Sequence, residues 1–146
     1  MRVSMFLCEA AQVAEGKLNV LGAGWSQLGS APAQMAVAVL IEFDSAEANG
    51  AHHFELFLTD REHQPVFTEA GGQRSAIEVR GDASVELPAG YDPRLPVPWP
   101  IAINVPGVAL PPDEAYQWNL VVDGHGEPAW TLPFRTAAAP ANGSDG

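Results

Sequence analysis

The chain has one lysine, one cysteine, no long apolar run and almost no helical periodicity. Each shortage excludes something. Beside Lys17 stand six arginines, scattered singly from Arg2 to Arg135, against 18 acidic residues, for a net charge of −11. Phosphate backbones and anionic lipid surfaces repel such a chain, so neither nucleic acid nor a membrane is an expected partner. A single cysteine excludes an intrachain disulfide. Cys8 lies in Met5-Phe6-Leu7-Cys8-Glu9, the pattern of a buried strand, and reads as a small core hydrophobe. The apolar segment before it is too short for a signal-peptide core, which removes a lipoprotein signal ending there. No run approaches the roughly 18 apolar residues of a membrane span, and the expected compartment is the cytoplasm.

Catalytic signatures are missing too. Gly22-Ala23-Gly24 resembles the opening of a dinucleotide fingerprint, but Gln27 stands where the third glycine belongs and no helix follows. There is no Gly-Lys-Ser/Thr for a phosphate loop and no Gly-x-Ser-x-Gly for a nucleophile. The four histidines, His52, His53, His63 and His125, show no metal-ligand spacing. His52 and His53 are neighbours in a strand and point to opposite faces. A loop site built from Asp60, Glu62, His63 and His125 is conceivable, but solvated turn residues are the commoner outcome of such a pattern. Carboxylates that could hold calcium are dispersed one or two per turn, at Asp44, Glu47, Asp60, Glu62, Asp92, Asp113, Glu114 and Asp123. No cofactor is expected.

What is present is period-2 alternation, the mark of strands with one buried face. Met35, Val37, Val39, Ile41 and Phe43 line one face of a strand whose other face, Ala36, Ala38 and Leu40, is also apolar. Such a strand belongs at the centre of a sheet, with a second subunit as one way to cover its second face. Phe54, Leu56 and Leu58 alternate with Glu55, Phe57 and Thr59, and Ile101, Ile103 and Val105 with Ala102 and Asn104; Tyr116, Trp118, Leu120 and Val122 share a face, as do Trp130, Leu132 and Phe134. Glu15-Gly16, Gly71-Gly72 and Asp123-Gly124 mark turns, and only Ser45 to Asn49 offers a helical turn. Prolines crowd residues 88–112, so the strand near 98–105 belongs at an edge or is bounded by them. The pattern predicts an antiparallel β-sandwich, immunoglobulin-like or C2-like, of eight or nine strands, forming one domain over 1–136 with a disordered tail over 137–146.

Two stretches carry a resemblance. The first comprises Ala11, Val13, Gly16 to Val20, Gly22, Gly24 and Trp25. The second comprises Leu110 to Pro112, Tyr116, Trp118, Leu120, Asp123 and Gly124. In these the chain resembles a family of short, uncharacterised bacterial proteins. The likeness spans most of residues 1–135, and Glu114-Ala115 departs from its usual Gly-Arg/Glu. It implies a single β-domain in a cytosolic bacterial setting and implies no activity.

The expected function is therefore a non-enzymatic protein-binding or assembly module, acting on a protein partner or by self-association. Trp99, framed by Pro98 and Pro100, Leu40 on the two-sided strand, and Trp25 after Gly24 are its candidate interaction residues. A β-sandwich binding calcium or carbohydrate at its acidic turns and exposed aromatics is the alternative. A metal-dependent enzyme ranks third.

Overall fold

A computed structural model of the chain describes residues 1–29 and 33–138. The protein is all-β. Its strands in chain order are β1 (Arg2–Cys8), β2 (Ala10–Ala14), β3 (Lys17–Leu21), β4 (Gln27–Leu28), β5 (Ala33–Phe43), β6 (Gly50–Asp60), β7 (Phe67–Ala70), β8 (Gln73–Ala76), β9 (Glu78–Val85), β10 (Val97–Val108), β11 (Ala115–Val122) and β12 (His125–Thr136). One helical turn, α1 (Ser45–Ala48), joins β5 to β6. It starts at Asp44, whose backbone N–H donates to the Glu47 carboxylate at 3.2 Å, satisfying an otherwise orphan donor. Twelve strands exceed the eight or nine expected. The surplus comes from pieces too short to show periodicity, such as β4, β7 and β8.

Two sheets carry the fold. One has three strands in the order β1-β5-β10; the other has five, β4-β12-β11-β6-β9. The two-sided strand β5 sits at the centre of the first, as its composition requires. Proline-rich β10 lies at that sheet's edge, where missing N–H donors cost no ladder bond. Pairing is antiparallel except for β4 against β12, which is parallel at Gln27–Arg135 and Leu28–Thr136. The hairpins β2–β3, β7–β8 and β11–β12 all turn on two residues with positive φ, as at Asp123 (51°) and Gly124 (77°). That geometry matches the twist of antiparallel strands.

Alternation then fills the interior. Met35, Val37, Val39, Ile41 and Phe43 of β5 are all at most 2% exposed. They join Leu56 and Leu58 of β6, Trp118, Leu120 and Val122 of β11, and Trp130 and Phe134 of β12 in one buried cluster. On β9, Gly81 faces Phe54 so closely that any side chain there would overlap the ring, which explains glycine inside a strand. Of the expected tail, Ala137 donates its N–H to the Leu28 carbonyl at 2.8 Å. Residues 139–146 lie outside the described residues. Among the described residues no helix is long and apolar enough to cross a membrane.

Candidate functional site

Strand register builds the outer face of the three-stranded sheet row by row. Arg2, Glu42 and Pro98 form one row; Ser4, Leu40 and Pro100 the next; then Phe6, Ala38 and Ala102; then Cys8, Ala36 and Asn104. The first row is closed by an Arg2–Glu42 ion pair at 2.8 Å. Beyond it the face is mostly apolar, with Ser4 and Asn104 the polar members. The β2–β3 hairpin folds back over the last rows, where Ala11 and Leu18 pack with Cys8, Ala36, Ala38 and Ala102. Asn104 pins it there. Its side-chain amide donates to the Ala11 carbonyl at 2.8 Å and accepts the Ala11 N–H at 3.2 Å, so one side chain imitates a neighbouring strand. The chain thus covers part of β5's second apolar face with its own hairpin.

The cover is incomplete. Phe6 remains 48% exposed on β1, while Val13, Val20 and Leu21 of the hairpin remain 41%, 39% and 66% exposed. Leu40 lies half-buried between Ser4 and Pro100 on the same outer face. Trp99 occupies the opposite face of the sheet. Its half-buried ring stacks on Phe43 at 6.2 Å and meets Phe54 edge-on at 5.7 Å. Trp25 is half-buried elsewhere, edge-on to Phe134 at 6.0 Å. The structure therefore does not bring Leu40, Trp99 and Trp25 together; only Leu40 joins the exposed apolar residues. The sequence signals the exposed hairpin residues only weakly, since Val13 stands between Gln12 and Ala14 and Val20 between Asn19 and Leu21.

The histidines divide by face, as adjacent strand positions require. His52 is buried, stacked on Phe43 at 4.1 Å. Its Nε2 lies 2.7 Å from the Ala48 carbonyl and its Nδ1 2.7 Å from the Asp123 carboxylate. Both partners accept, so this geometry favours the charged imidazole, which donates from both ring nitrogens. Burial alone would depress its pKa, but the bonds to Asp123 and Ala48 outweigh burial and raise it. Asp123 is opposed by burial in the same way, yet its bonds from His52 and the His53 N–H hold it below the ordinary carboxylate value. Both ring nitrogens of His52 are engaged within the fold. His52 ties α1, β6 and the β11–β12 turn together.

His53, on the outer side, donates to Asp82 at 2.7 Å, and that bond raises its pKa. Asp60 is occupied in shaping its own loop, accepting the N–H groups of Glu62 (2.8 Å) and Gln64 (3.0 Å). His125 bonds Glu127 at 3.1 Å. Among the described residues, no three of His, Cys, Asp and Glu converge as a metal site would need. Cys8 is fully buried, and burial pushes its thiol pKa up, away from the thiolate that reactive cysteines need.

The outer face of the five-stranded sheet offers a different arrangement. Along β11 and β6 it carries Gln117, Asn119, Phe57 and Glu55, with Glu78 and Arg80 beyond on β9. Asn119 is fixed by donating to Thr59 Oγ1 at 2.9 Å and accepting from Gln117 Nε2 at 2.7 Å. Sequence reading misses this pair, because Gln117 and Asn119 look like ordinary solvated positions of an alternating strand.

Residues 3–136 match the model of a family of unknown function, DUF6941. No curated protein matches the chain.

Proposed function

We propose, from the premise that the chain belongs to the DUF6941 family of unknown function, that it is a non-enzymatic protein-binding or assembly module of the cytoplasm. Its contact surface is the region of β1, the β2–β3 hairpin and the Leu40 row of β5, with Val13 and Val20 on the hairpin's sheet-facing side and Leu21 on its outer side. The two principal sheets form the layers of a β-sandwich, immunoglobulin-like or C2-like, that presents this face. One observation carries the reading. Of the seven large hydrophobics exposed among the described residues, four (Phe6, Val13, Val20 and Leu21) belong to β1 and the hairpin. In a chain of net charge −11, apolar exposure concentrated in one region favours contact with another protein over solvation. The simplest partner is a second copy of the chain, since the Arg2–Glu42 pair leaves the border of the face locally neutral.

Amine crosslinking tests this directly, because Lys17, the only lysine, stands at the start of the hairpin's second strand. Tagged protein treated with a lysine-reactive crosslinker in cells should give Lys17 adducts to a second copy or to one stoichiometric partner. Leu40→Glu and Phe6→Ser should abolish those adducts without changing the melting temperature. Adducts that survive both substitutions would overturn the assignment of this face.

A further inference from the structure

We propose that the groove where β12 leaves β11 binds an uncharged, hydroxyl-rich small molecule, one or two sugar rings in size. The groove arises from a register break. Between the pairs Asn119–Thr131 and Val121–Gly126, β11 uses one residue, Leu120, while β12 uses four, Glu127 to Trp130. So many unmatched residues force β12 outward, and the Thr131 hydroxyl closes the detour by donating to the Pro128 carbonyl at 3.0 Å. The space opened is about 470 Å³, within the range of small-ligand sites. Phe57, His63, Gln117, Asn119, Glu127 and Thr131 line it.

The chemistry of these groups selects the ligand class. Asn119 spends its amide on Thr59, on the Phe57 and Gln117 carbonyls, and on Gln117 Nε2. It thereby fixes Gln117. The Gln117 side-chain carbonyl and second N–H have no protein partner among the described residues. His63 is held at a positive φ of 61° by the Asp60 loop, and its ring makes no hydrogen bond within the described protein. Thr131 keeps lone pairs for accepting, and Glu127 shares its carboxylate with His125.

The groove thus sets donors and acceptors beside a half-buried phenyl ring, and Leu120, Val121, Pro128 and Trp130 complete an apolar floor and wall. A sugar matches both features: each hydroxyl donates and accepts, and the C–H face of the ring covers an aromatic surface. Anions fit poorly, since the groove holds a carboxylate and no lysine or arginine. A purely apolar ligand would leave the Gln117 amide desolvated without a partner. The site lies on the five-stranded sheet, so it stands or falls independently of the apolar face opposite.

The test is 1H–15N NMR titration of the full chain with glucose, galactose, mannose, N-acetylglucosamine and their common disaccharides. At least one sugar should shift the Gln117 and Asn119 side-chain amides and the backbone near His63 and Thr131. Gln117→Ala should weaken that binding about tenfold, the cost of one lost hydrogen bond to a neutral ligand. Should Gln117→Ala fail to fold, Thr131→Val tests the same rim. Response to disaccharides alone would identify a chain end, and response to monosaccharides a free sugar; either supports the site. No shift with any sugar, shifts confined to other surfaces, or unchanged affinity in Gln117→Ala would overturn it.

Discussion

The two outer faces of this protein solve opposite problems. On the three-stranded sheet, small apolar residues (Ala36, Ala38, Ala102) lie flat enough for a hairpin to fold over them, and the region is held by packing and one asparagine. On the five-stranded sheet, the strands stay bare and carry polar pairs instead: His53–Asp82 at 2.7 Å, Arg80–Glu55 at 3.7 Å and Arg80–Glu78 at 3.8 Å. Exposed pairs of this kind contribute little to stability, but they keep the edge strand β9 from pairing with other chains. The first face is closed by its own chain and still shows apolar residues at its border. The second keeps these polar pairs at the surface and holds the register break in β11–β12. Apolar packing therefore dominates one outer face, and polar pairs the other.

The comparison predicts a graded set of effects. Ala38→Asp, placing an unpaired carboxylate where exposure is zero, should cost about 4 kcal/mol, read by urea denaturation. Asn104→Ala removes both bonds to Ala11 and should cost about 1.5 kcal/mol. Hydrogen exchange should then accelerate in β2 and β3 while β6 and β11 keep their protection. Uniform acceleration in all four strands would mean that the hairpin is not separately pinned.

The His52–Asp123 pair gives stability a definite pH profile. His52 has a raised folded pKa, so its contribution is complete below the ordinary histidine value, about 6.5, and is lost as pH rises through the raised value. Asp123 has a lowered folded pKa, so its contribution is present above the ordinary carboxylate value, about 3.9, and is lost as pH falls through the lowered one. Melting temperature should therefore be highest between these limits. His52→Gln should flatten the alkaline limb, leaving the smaller slope due to exposed His53. The smallest effect belongs to Arg80→Ala, whose ion pairs are solvent-exposed; stability should change by under about 0.5 kcal/mol.

Local features are legible in the sequence where their cause is local. The alternation from Met35 to Phe43, with small residues between, places β5 at a sheet centre. Asp123-Gly124 and Gly71-Gly72 mark tight hairpins because few other pairs accept positive φ twice. The helical turn from Ser45 is legible because its cap is local as well: Asp44 and Glu47 stand three residues apart as a capping pair. Trp99 is more instructive. It shares the phase of Ile101 and Ile103, and extending that alternation by one step predicts the inward position it takes. What stays hidden depends on distant partners. Asn104 meets Ala11 across 93 positions, and His52 meets Asp123 across 71. Neither residue carries a local sign of its mate. The β12 detour leaves only Pro128 as a trace, and one proline does not reveal a four-residue break.

Sedimentation velocity over a broad concentration range, on the wild type and on a Phe6→Ser/Leu21→Ser double variant, tests the contact face most directly. The wild type should associate with rising concentration, and the variant should stay monomeric with an unchanged melting temperature. A wild type and variant that sediment identically at every concentration would contradict self-association through this face.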